Sequence, residues 1–232
     1  MTPRELLAGL FPAGCKWSVE NKVLAGEGVT GSGAVGVIGA CGNATLGAAE
    51  ILRLSRHFLQ IMREHPGRPI LMLIDIGGQR MALGEELLGL HQYIAHLVKL
   101  QDLARRLGHK VIALVYGNAV AGGFVAFGLC AGQTYALPGG NTSVMALSAI
   151  SRVTKLPVEY LDELGKTVPV FAPGVDNFFR AGGLHGIWTG DLNARLEQAL
   201  KMDERGDCRA ALGAQRGGRM LALEVARRIR GP

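Results

Sequence analysis

Two short apolar runs, each followed by a pair of glycines, constrain the fold more than any other feature of this sequence. Pro69 to Ile76 is apolar except for Asp75 and leads into Gly77-Gly78, and Val111 to Tyr116 leads into a turn that contains Gly122-Gly123. Apolar runs of this length without polar alternation predict strands that are buried on both faces. The amphipathic segment from Gly84 to Leu107 lies between the runs. The order strand, helix, strand predicts a parallel sheet that is covered by helices.

The flanking segments extend this α/β pattern. Short apolar stretches alternate with glycines over residues 21–47, which predicts an antiparallel meander. Further periodic segments predict a helix over Leu46–Glu64, a small helix over Phe124–Ala131, a strand over Gln133–Leu137, and a helix or helix pair over 192–230 that is interrupted near Gly213. We expect a single domain over residues 1–232, with the core in 1–190 and a helical segment in 191–232.

Composition excludes several classes of protein. The chain is 48% hydrophobic and 19% charged, so it is not a disordered tail. No apolar run reaches the roughly 20 residues that a membrane helix needs, and the amino terminus lacks the features of a signal peptide. The four cysteines form no Cys-x-x-Cys pair and have no histidine at ligand spacing. We therefore expect a soluble, cytoplasmic protein without a metal site or disulfides.

The net charge of +6 is concentrated near the carboxyl terminus, because residues 201–232 hold eight basic and four acidic residues. Such a segment is either a solvated helical face or a docking surface for an acidic partner or a phosphorylated cofactor. No aromatic residues are interleaved with the basic ones, as nucleic-acid binding would favour. We expect no nucleic-acid partner.

The glycine pairs are the candidate catalytic residues. Gly77 and Gly78 follow one predicted strand and Gly122 and Gly123 follow the next, at the edge where parallel sheets normally bind ligands. Glycines allow positive φ angles and close backbone approach, so that amide N–H groups can face a ligand. Such donors suit an oxyanion. The alternative is that these glycines only allow a helix and a strand to pack closely.

The residues around the glycine pairs resemble those of a known superfamily. The stretch from Val111 to Ala136, with Gly117-Asn-Ala-Val-Ala-Gly-Gly123 at its centre, resembles the crotonase superfamily, and Pro69 to Gly78 is similar to its carboxyltransferase branch. With Gly26-Glu-Gly-Val-Thr30 and Leu184-His-Gly-Ile-Trp188, nearly the whole chain most resembles the gamma subunits of biotin-independent malonate decarboxylases. The resemblance implies a crotonase-like (ClpP/crotonase) α/β fold with repeated ββα units and a helical C-terminal region.

The resemblance also implies an activity, a lyase reaction that needs partners. A homologous beta subunit would join this chain in decarboxylating a malonyl thioester to the acetyl thioester, with backbone oxyanion holes stabilising the enolate. The substrate would be carried on the dephospho-coenzyme A-derived arm of an acyl carrier protein, which an acyl carrier protein transferase would serve, and no biotin or other cofactor would bind the chain directly. Two alternatives stay open: a biotin-dependent carboxyltransferase subunit and a noncatalytic scaffold.

Differences between this chain and sister families of the superfamily narrow the set of reactions that it could catalyse. The position of the hydratases' first glutamate falls near Val125, and the superfamily's serine nucleophile falls at Ala121, so neither hydration nor covalent serine chemistry is available. Residues that flank the glycine turns or lie in irregular segments are the candidate substrate-binding residues: Arg80, Asn118, Ala119, Ser148 and His185. Arg80 suits a free carboxylate, or it is a solvated loop residue. Asp75 is expected to cap its turn.

Overall fold

A computed structural model describes residues 1–169, 172–202, 206–218 and 220–230. The strands are β1 (Cys15–Glu20), β2 (Val23–Thr30), β3 (Gly33–Leu46), β4 (Ile70–Gln79), β5 (Val111–Val120), β6 (Gln133–Ala136), β7 (Asn141–Ser143) and β8 (Gly186–Ile187). The helices are α1 (Pro3–Leu10), α2 (Ala48–Glu64), α3 (Leu83–Leu87), α4 (Leu90–Arg106), α5 (Ala121–Phe127), α6 (Leu147–Thr154), α7 (Val158–Thr167), α8 (Val175–Arg180), α9 (Leu192–Lys201), α10 (Arg209–Gln215) and α11 (Met220–Arg230).

One sheet organises the described residues. Its strand order is β1-β2-β3-β4-β5-β6-β8, and β7 pairs with β5 outside this path. The pairs β1·β2 and β2·β3 are antiparallel, and the pairs from β3 to β8 are parallel. The pair β2·β3 confirms the meander predicted over 21–47, and β1 adds a strand before it that the sequence did not predict. α2, α4 and α5 connect successive parallel strands, as the alternating sequence pattern predicts.

The sheet is covered on both faces, and this explains the uninterrupted apolar runs. Ile70, Met72, Ile74 and Ile76 of β4 pack in one hydrophobic cluster with residues of α2 and α4. Leu71 and Leu73 point to the opposite face and pack in a second cluster with α1 and α9. Because successive side chains of a strand point to opposite faces, both positions of each pair must be apolar.

Several predicted boundaries differ from the structure. The predicted helix or helix pair over 192–230 forms three helices, α9, α10 and α11, and Gly213 lies inside α10. The segment Gly84 to Leu107 forms two helices, α3 and α4, which are separated at Gly89, a residue with a φ of 76°. Both buried strands are longer than predicted, because β4 continues through its glycine pair to Gln79 and β5 continues to Val120. α5 accordingly begins earlier than predicted, at Ala121.

None of the helices in the described ranges combines the length and the apolar character that crossing a membrane requires. The division of the chain into a single domain stays a prediction.

Candidate functional site

The sheet divides at its carboxyl edge, between β4 and β5. The parallel pairing of these strands ends where Ile76 lies opposite Ala119, after a register shift. Beyond this point β4 stays with β3, where Gly78 lies opposite Thr45, while the end of β5 pairs with β7. The ends of β4 and β5 diverge here, and open α/β sheets bind their ligands in the crevice at such a point.

The two glycine pairs meet at this division. A Cβ atom on Gly123 would lie 3.1 Å from the carbonyl carbon of Gly78 and 3.3 Å from the amide nitrogen of Gln79. Gly78 has a φ of 121°, which side chains other than glycine rarely adopt. The backbone conformation of Gly78 therefore favours glycine, Gly123 packs tightly against β4, and the two pairs, 45 residues apart in sequence, form one corner.

α5 begins at this corner, so the amides of its first turn are the candidate donors to a ligand. Its N-cap residue, Val120, provides no side-chain hydrogen bond to the helix. The first N–H groups of a helix have no partner within the helix, and the helix dipole favours negative charge at this end. Ala121, the first residue of α5, has a φ of 57°, an unfavourable value for a residue with a Cβ atom. The corner can therefore stabilise negative charge on a ligand atom through its backbone.

Asp75 holds the two sides of the crevice in place. Its carboxylate accepts hydrogen bonds from the amides of Asn43 on β3 and Asn118 on β5, both at 2.9 Å. Gly117 is required here, because a Cβ atom would lie 2.4 Å from the Oδ1 atom of Asp75. Burial, and then the charge of Asp75, raise the pKa of Tyr116 beside it. Asp75 thus caps backbone, as expected, but on both neighbouring strands rather than on its own turn.

Arg80 lies beside the crevice in an ion-pair network. Its guanidinium contacts the carboxylates of Glu50 and Glu85, each at 3.0 Å. Both carboxylates also accept hydrogen bonds from the start of α2, Glu50 from Gly47 and Glu85 from Ala48. Arg80 therefore joins β4, α2 and α3. Its predicted role in binding a substrate carboxylate stays a prediction.

The other candidate substrate-binding residues lie in different places. Asn118 is at the crevice, where its side-chain oxygen accepts a hydrogen bond from Asn141 at 3.1 Å. Ala119 is next to it but completely buried, so its side chain faces the core. Ser148 is exposed on α6. The structure brings Asn118 and Ala119 to the glycine corner.

The structure does not bring His185 to this corner. The Nδ1 atom of His185 accepts a hydrogen bond from the amide of Thr134 at 3.0 Å. Thr134 lies opposite Ala113, which lies opposite Met72, six residues before Gly78. At about 3.3 Å per residue, His185 is roughly 20 Å from the corner. Its neighbours in sequence suggested an irregular loop, but register places that loop at the other end of the sheet.

Two features of the site carried no signal in the sequence. The Oε1 atom of Gln79 is buried without a hydrogen-bond partner and would lie 3.2 Å from a Cβ atom on Gly122. The segment after the corner exposes four large apolar side chains, Met81 by 81%, Leu83 by 76%, Leu87 by 80% and Leu88 by 63%. In a sequence, a single Gln or a short leucine-rich helix is usually only structural. Their positions next to the glycine corner, which the sequence does not show, make Gln79 and this segment candidates for a role in the site.

Within the ranges that the structure describes, no group of three His, Cys, Asp or Glu residues is arranged to hold a metal ion.

Comparisons with known proteins agree with this geometry. The family model of the malonate decarboxylase gamma subunit matches residues 41–231. The malonyl-S-ACP:biotin-protein carboxyltransferase MADD of Malonomonas rubra is 34% identical over 175 residues, which are 68% of this chain and 60% of the relative's length. The chain thus spans less than two thirds of this curated relative.

Solved structures give the same result. A chain of a Pseudomonas malonate decarboxylase hetero-tetramer in complex with coenzyme A has a TM-score of 0.75 and 25% identity, with 98% of each chain covered. A chain of the Pseudomonas MdcD-MdcE hetero-dimer has a TM-score of 0.73 and 24% identity, also with 98% of each chain covered. Transcarboxylase 12S has a TM-score of 0.72 and 15% identity over 87% of this chain and 41% of its own, and it shows the fold alone. The predicted crotonase-like α/β fold with a helical C-terminal region is confirmed.

Proposed function

The chain belongs to the family of malonate decarboxylase gamma subunits, and from this premise we propose that it acts with a homologous beta subunit to decarboxylate a malonyl thioester. The observation that most supports the proposal is the meeting of Gly78 and Gly123 where the sheet divides. This corner offers backbone N–H donors to an oxyanion. The chain that contains it also matches the family model of the gamma subunit.

The chemistry of the reaction suits a backbone site. As the bond between the α carbon and the carboxylate breaks, its electron pair forms the carbon–carbon double bond of an enolate, and negative charge develops on the thioester oxygen. Donors that are already placed around this oxygen stabilise the transition state more than the ground state. A second set of donors can hold the carboxylate out of the thioester plane, so that the breaking bond overlaps the carbonyl π system. Protonation of the α carbon then gives the acetyl thioester.

We propose an acyl carrier protein as the second partner, with the malonyl group on its dephospho-coenzyme A-derived arm and with an acyl carrier protein transferase in the same system. The name of the Malonomonas relative includes malonyl-S-ACP, which supports a carrier-bound substrate. The four cysteines are free thiols, which supports the cytoplasm as the location of the complex.

The apolar segment Met81–Leu88 is the surface that we propose for the beta subunit. It follows the glycine corner directly, and Glu85 anchors it through a 2.8 Å hydrogen bond from Ala48. A partner that covers these side chains would also exclude water from the crevice. Leu87→Glu should abolish copurification with the beta subunit, whereas Leu107→Glu, at a leucine that is 56% exposed at the C-terminal end of α4, should not. Equal retention of both variants would contradict this assignment.

A second candidate function is carboxyl transfer to biotin, because the same relative is named as a biotin-protein carboxyltransferase. The deciding experiment is to copurify the chain with its partners and to measure carbon dioxide release from malonyl carrier protein with and without avidin. Release that is insensitive to avidin is expected. Release that avidin blocks would identify the carboxyltransferase, and an inactive complete complex would contradict both enzyme functions.

A further inference from the structure

β1 is an edge strand with one free side. It ends the strand order and pairs only with β2 among the described strands. Its residues from Lys16 to Glu20 are all exposed, and they include two large apolar side chains, Trp17 (36% exposed) and Val19 (44% exposed). Such an edge is a template for a further strand. β1 also precedes residues 41–231, which match the family model, so family membership does not assign it a partner.

The pairing of β1 with β2 determines which backbone groups of β1 point outward. The amide of Val29 donates a hydrogen bond of 3.1 Å to the carbonyl of Gly14, the residue directly before β1. Hydrogen-bonded and non-hydrogen-bonded positions alternate along an antiparallel ladder. The even-numbered residues of β1 therefore bond to β2. The N–H and C=O groups of the odd-numbered residues point away from β2: Cys15, Trp17 and Val19.

The strand is complementary to itself in one antiparallel register. Outward residues must face outward residues, so the two-fold axis of such a pair passes through a residue of β1 and not between two residues. An axis at Ser18 places Lys16 opposite Glu20 of a second copy, and Trp17 opposite its Val19. The symmetry repeats both pairs. Opposite charges, and an aromatic residue with a β-branched one, are favourable when they lie directly across from each other.

The neighbouring registers lack this complementarity. An axis at Val19 places Lys16 opposite Lys22 of the second copy, and like charges that lie directly opposite are destabilising. An axis at Trp17 places Lys16 opposite the neutral Ser18. Of these three registers, the one centred on Ser18 pairs opposite charges and apolar side chains at the same time.

The charges of these pairs are available to a second copy. Lys16 lies opposite Glu27 of β2, but the carboxylate of Glu27 binds Arg68 at 3.0 Å. In the part of the chain that the structure describes, Lys16 forms no ion pair. The side chain of Glu20 is 73% exposed and contacts Arg53 through one oxygen, Oε1. A carboxylate has a second oxygen that can accept a hydrogen bond from a lysine.

We propose that β1 pairs with β1 of a second copy of this chain, antiparallel and centred on Ser18, so that the two sheets form one continuous sheet. A lysine on an edge strand usually opposes such pairing, but this register gives Lys16 an acidic partner. The inference does not rest on the proposed function. The glycine corner begins at β4, three strands or roughly 14 Å from this edge, so the pairing does not involve it.

The test measures how many copies of the chain one particle contains. Sedimentation velocity of the complex that the chain forms with its partners should show two copies of the chain per particle, dissociating on dilution. Lys16→Glu and Glu20→Lys each place like charges opposite each other at both symmetric pairs, and each should raise the Kd of self-association about ten- to hundredfold. An equimolar mixture of the two variants restores opposite charges at both pairs and should restore the dimer.

Two further variants complete the design. Lys99→Glu makes the same change of charge at an exposed lysine of α4 and should leave the Kd unchanged. Val19→Pro removes an N–H that points away from β2, so it should abolish the dimer and keep the pairing with β2. Melting temperatures verify that each variant is folded. The rate of carbon dioxide release should stay unchanged in all of them.

Several results would overturn the inference. One is a wild-type complex with a single copy of the chain per particle even at roughly 100 µM. Another is a dimer that both charge reversals leave intact, or that the mixture of the two variants does not restore. If the reversals instead release the beta subunit from the complex, the edge binds that subunit and not a second copy.

Discussion

Replacing Gly123 by alanine tests whether the glycine corner is catalytic or only allows α5 to pack closely on β4. The new Cβ atom would lie 3.1 Å from the Gly78 carbonyl carbon and from the Cγ2 atom of Ile76. Since ordinary contacts are 3.4–4 Å, α5 and β4 must move apart by a few tenths of an ångström. Overpacking of this kind costs about 1–3 kcal/mol. For a chain of this size, the melting temperature should fall by roughly 2–12 °C.

We expect Gly123→Ala to lower the rate of decarboxylation by more than its effect on stability alone would cause. Removing one oxyanion donor lowers kcat by about 10²- to 10³-fold. Gly123→Ala displaces donors without removing them, so we expect a loss of roughly 10- to 100-fold. The assay is carbon dioxide release from malonyl carrier protein by the assembled complex, with assembly verified by size-exclusion chromatography. Thermal melting of the same samples measures the structural cost.

Gly139→Ala is the matched control, because a Cβ atom at Gly139 would meet no heavy atom within 4 Å. It should leave the rate and the melting temperature unchanged. If Gly123→Ala lowers the melting temperature but keeps the full rate in an intact complex, the glycines only allow close packing. The oxyanion argument would then be wrong, and a noncatalytic scaffold would be the better description.

Three further predictions concern titration and docking. The pKa of Tyr116 is raised, mainly by burial, so the phenol loses its proton at lower pH in the unfolded state than in the folded state. The free energy of unfolding should therefore fall above a pH of about 10. Urea titrations of the wild type and Tyr116→Phe measure this dependence, and the same dependence in both would contradict the prediction. Burial, and then the charge of Arg209, lower the pKa of His185, so the unfolded state binds more protons and the free energy of unfolding should fall below a pH of about 6.5. His185→Gln should weaken this pH dependence in thermal melts and keep the full rate of decarboxylation. A loss of rate in this variant would show that His185 contributes to the active site. Arg227 and Arg228 are exposed on α11. Replacing both by Glu should raise the KM for malonyl carrier protein several-fold more than the KM for a free malonyl thioester, and the difference should shrink as the salt concentration rises. Equal effects on both substrates would argue against docking of the carrier protein on α11.

The sequence predicted the parts of the site that depend on local pattern. The continuous apolar run at Ile70–Ile76 required two covered faces, and the structure has a hydrophobic cluster on each. Paired glycines marked the ends of two neighbouring parallel strands, which must lie at the same edge of a sheet. The resemblance to the superfamily came from these same residues, and two further segments, Gly26–Thr30 and Leu184–Trp188, extended it to the family.

The sequence could not predict which side chains reach that edge. Arg80 was a candidate because it follows Gly78, but its pairing with Glu50 and Glu85 depends on how α2 and α3 pack. Gln79 attracts no notice in sequence, because only a folded environment can leave a polar atom buried and unpaired.

Sequence by itself thus determined the two buried strands, the helices between the parallel strands and the glycine pairs that follow the strands, since periodicity and backbone freedom are properties of single segments. Tertiary structure alone decided that Gly78 and Gly123 touch and that His185 lies at the far end of the sheet. The physical reason is register: the hydrogen-bonded alignment of strands that are distant in sequence sets these separations, and a shift of one residue moves a side chain by about 3.3 Å and to the opposite face.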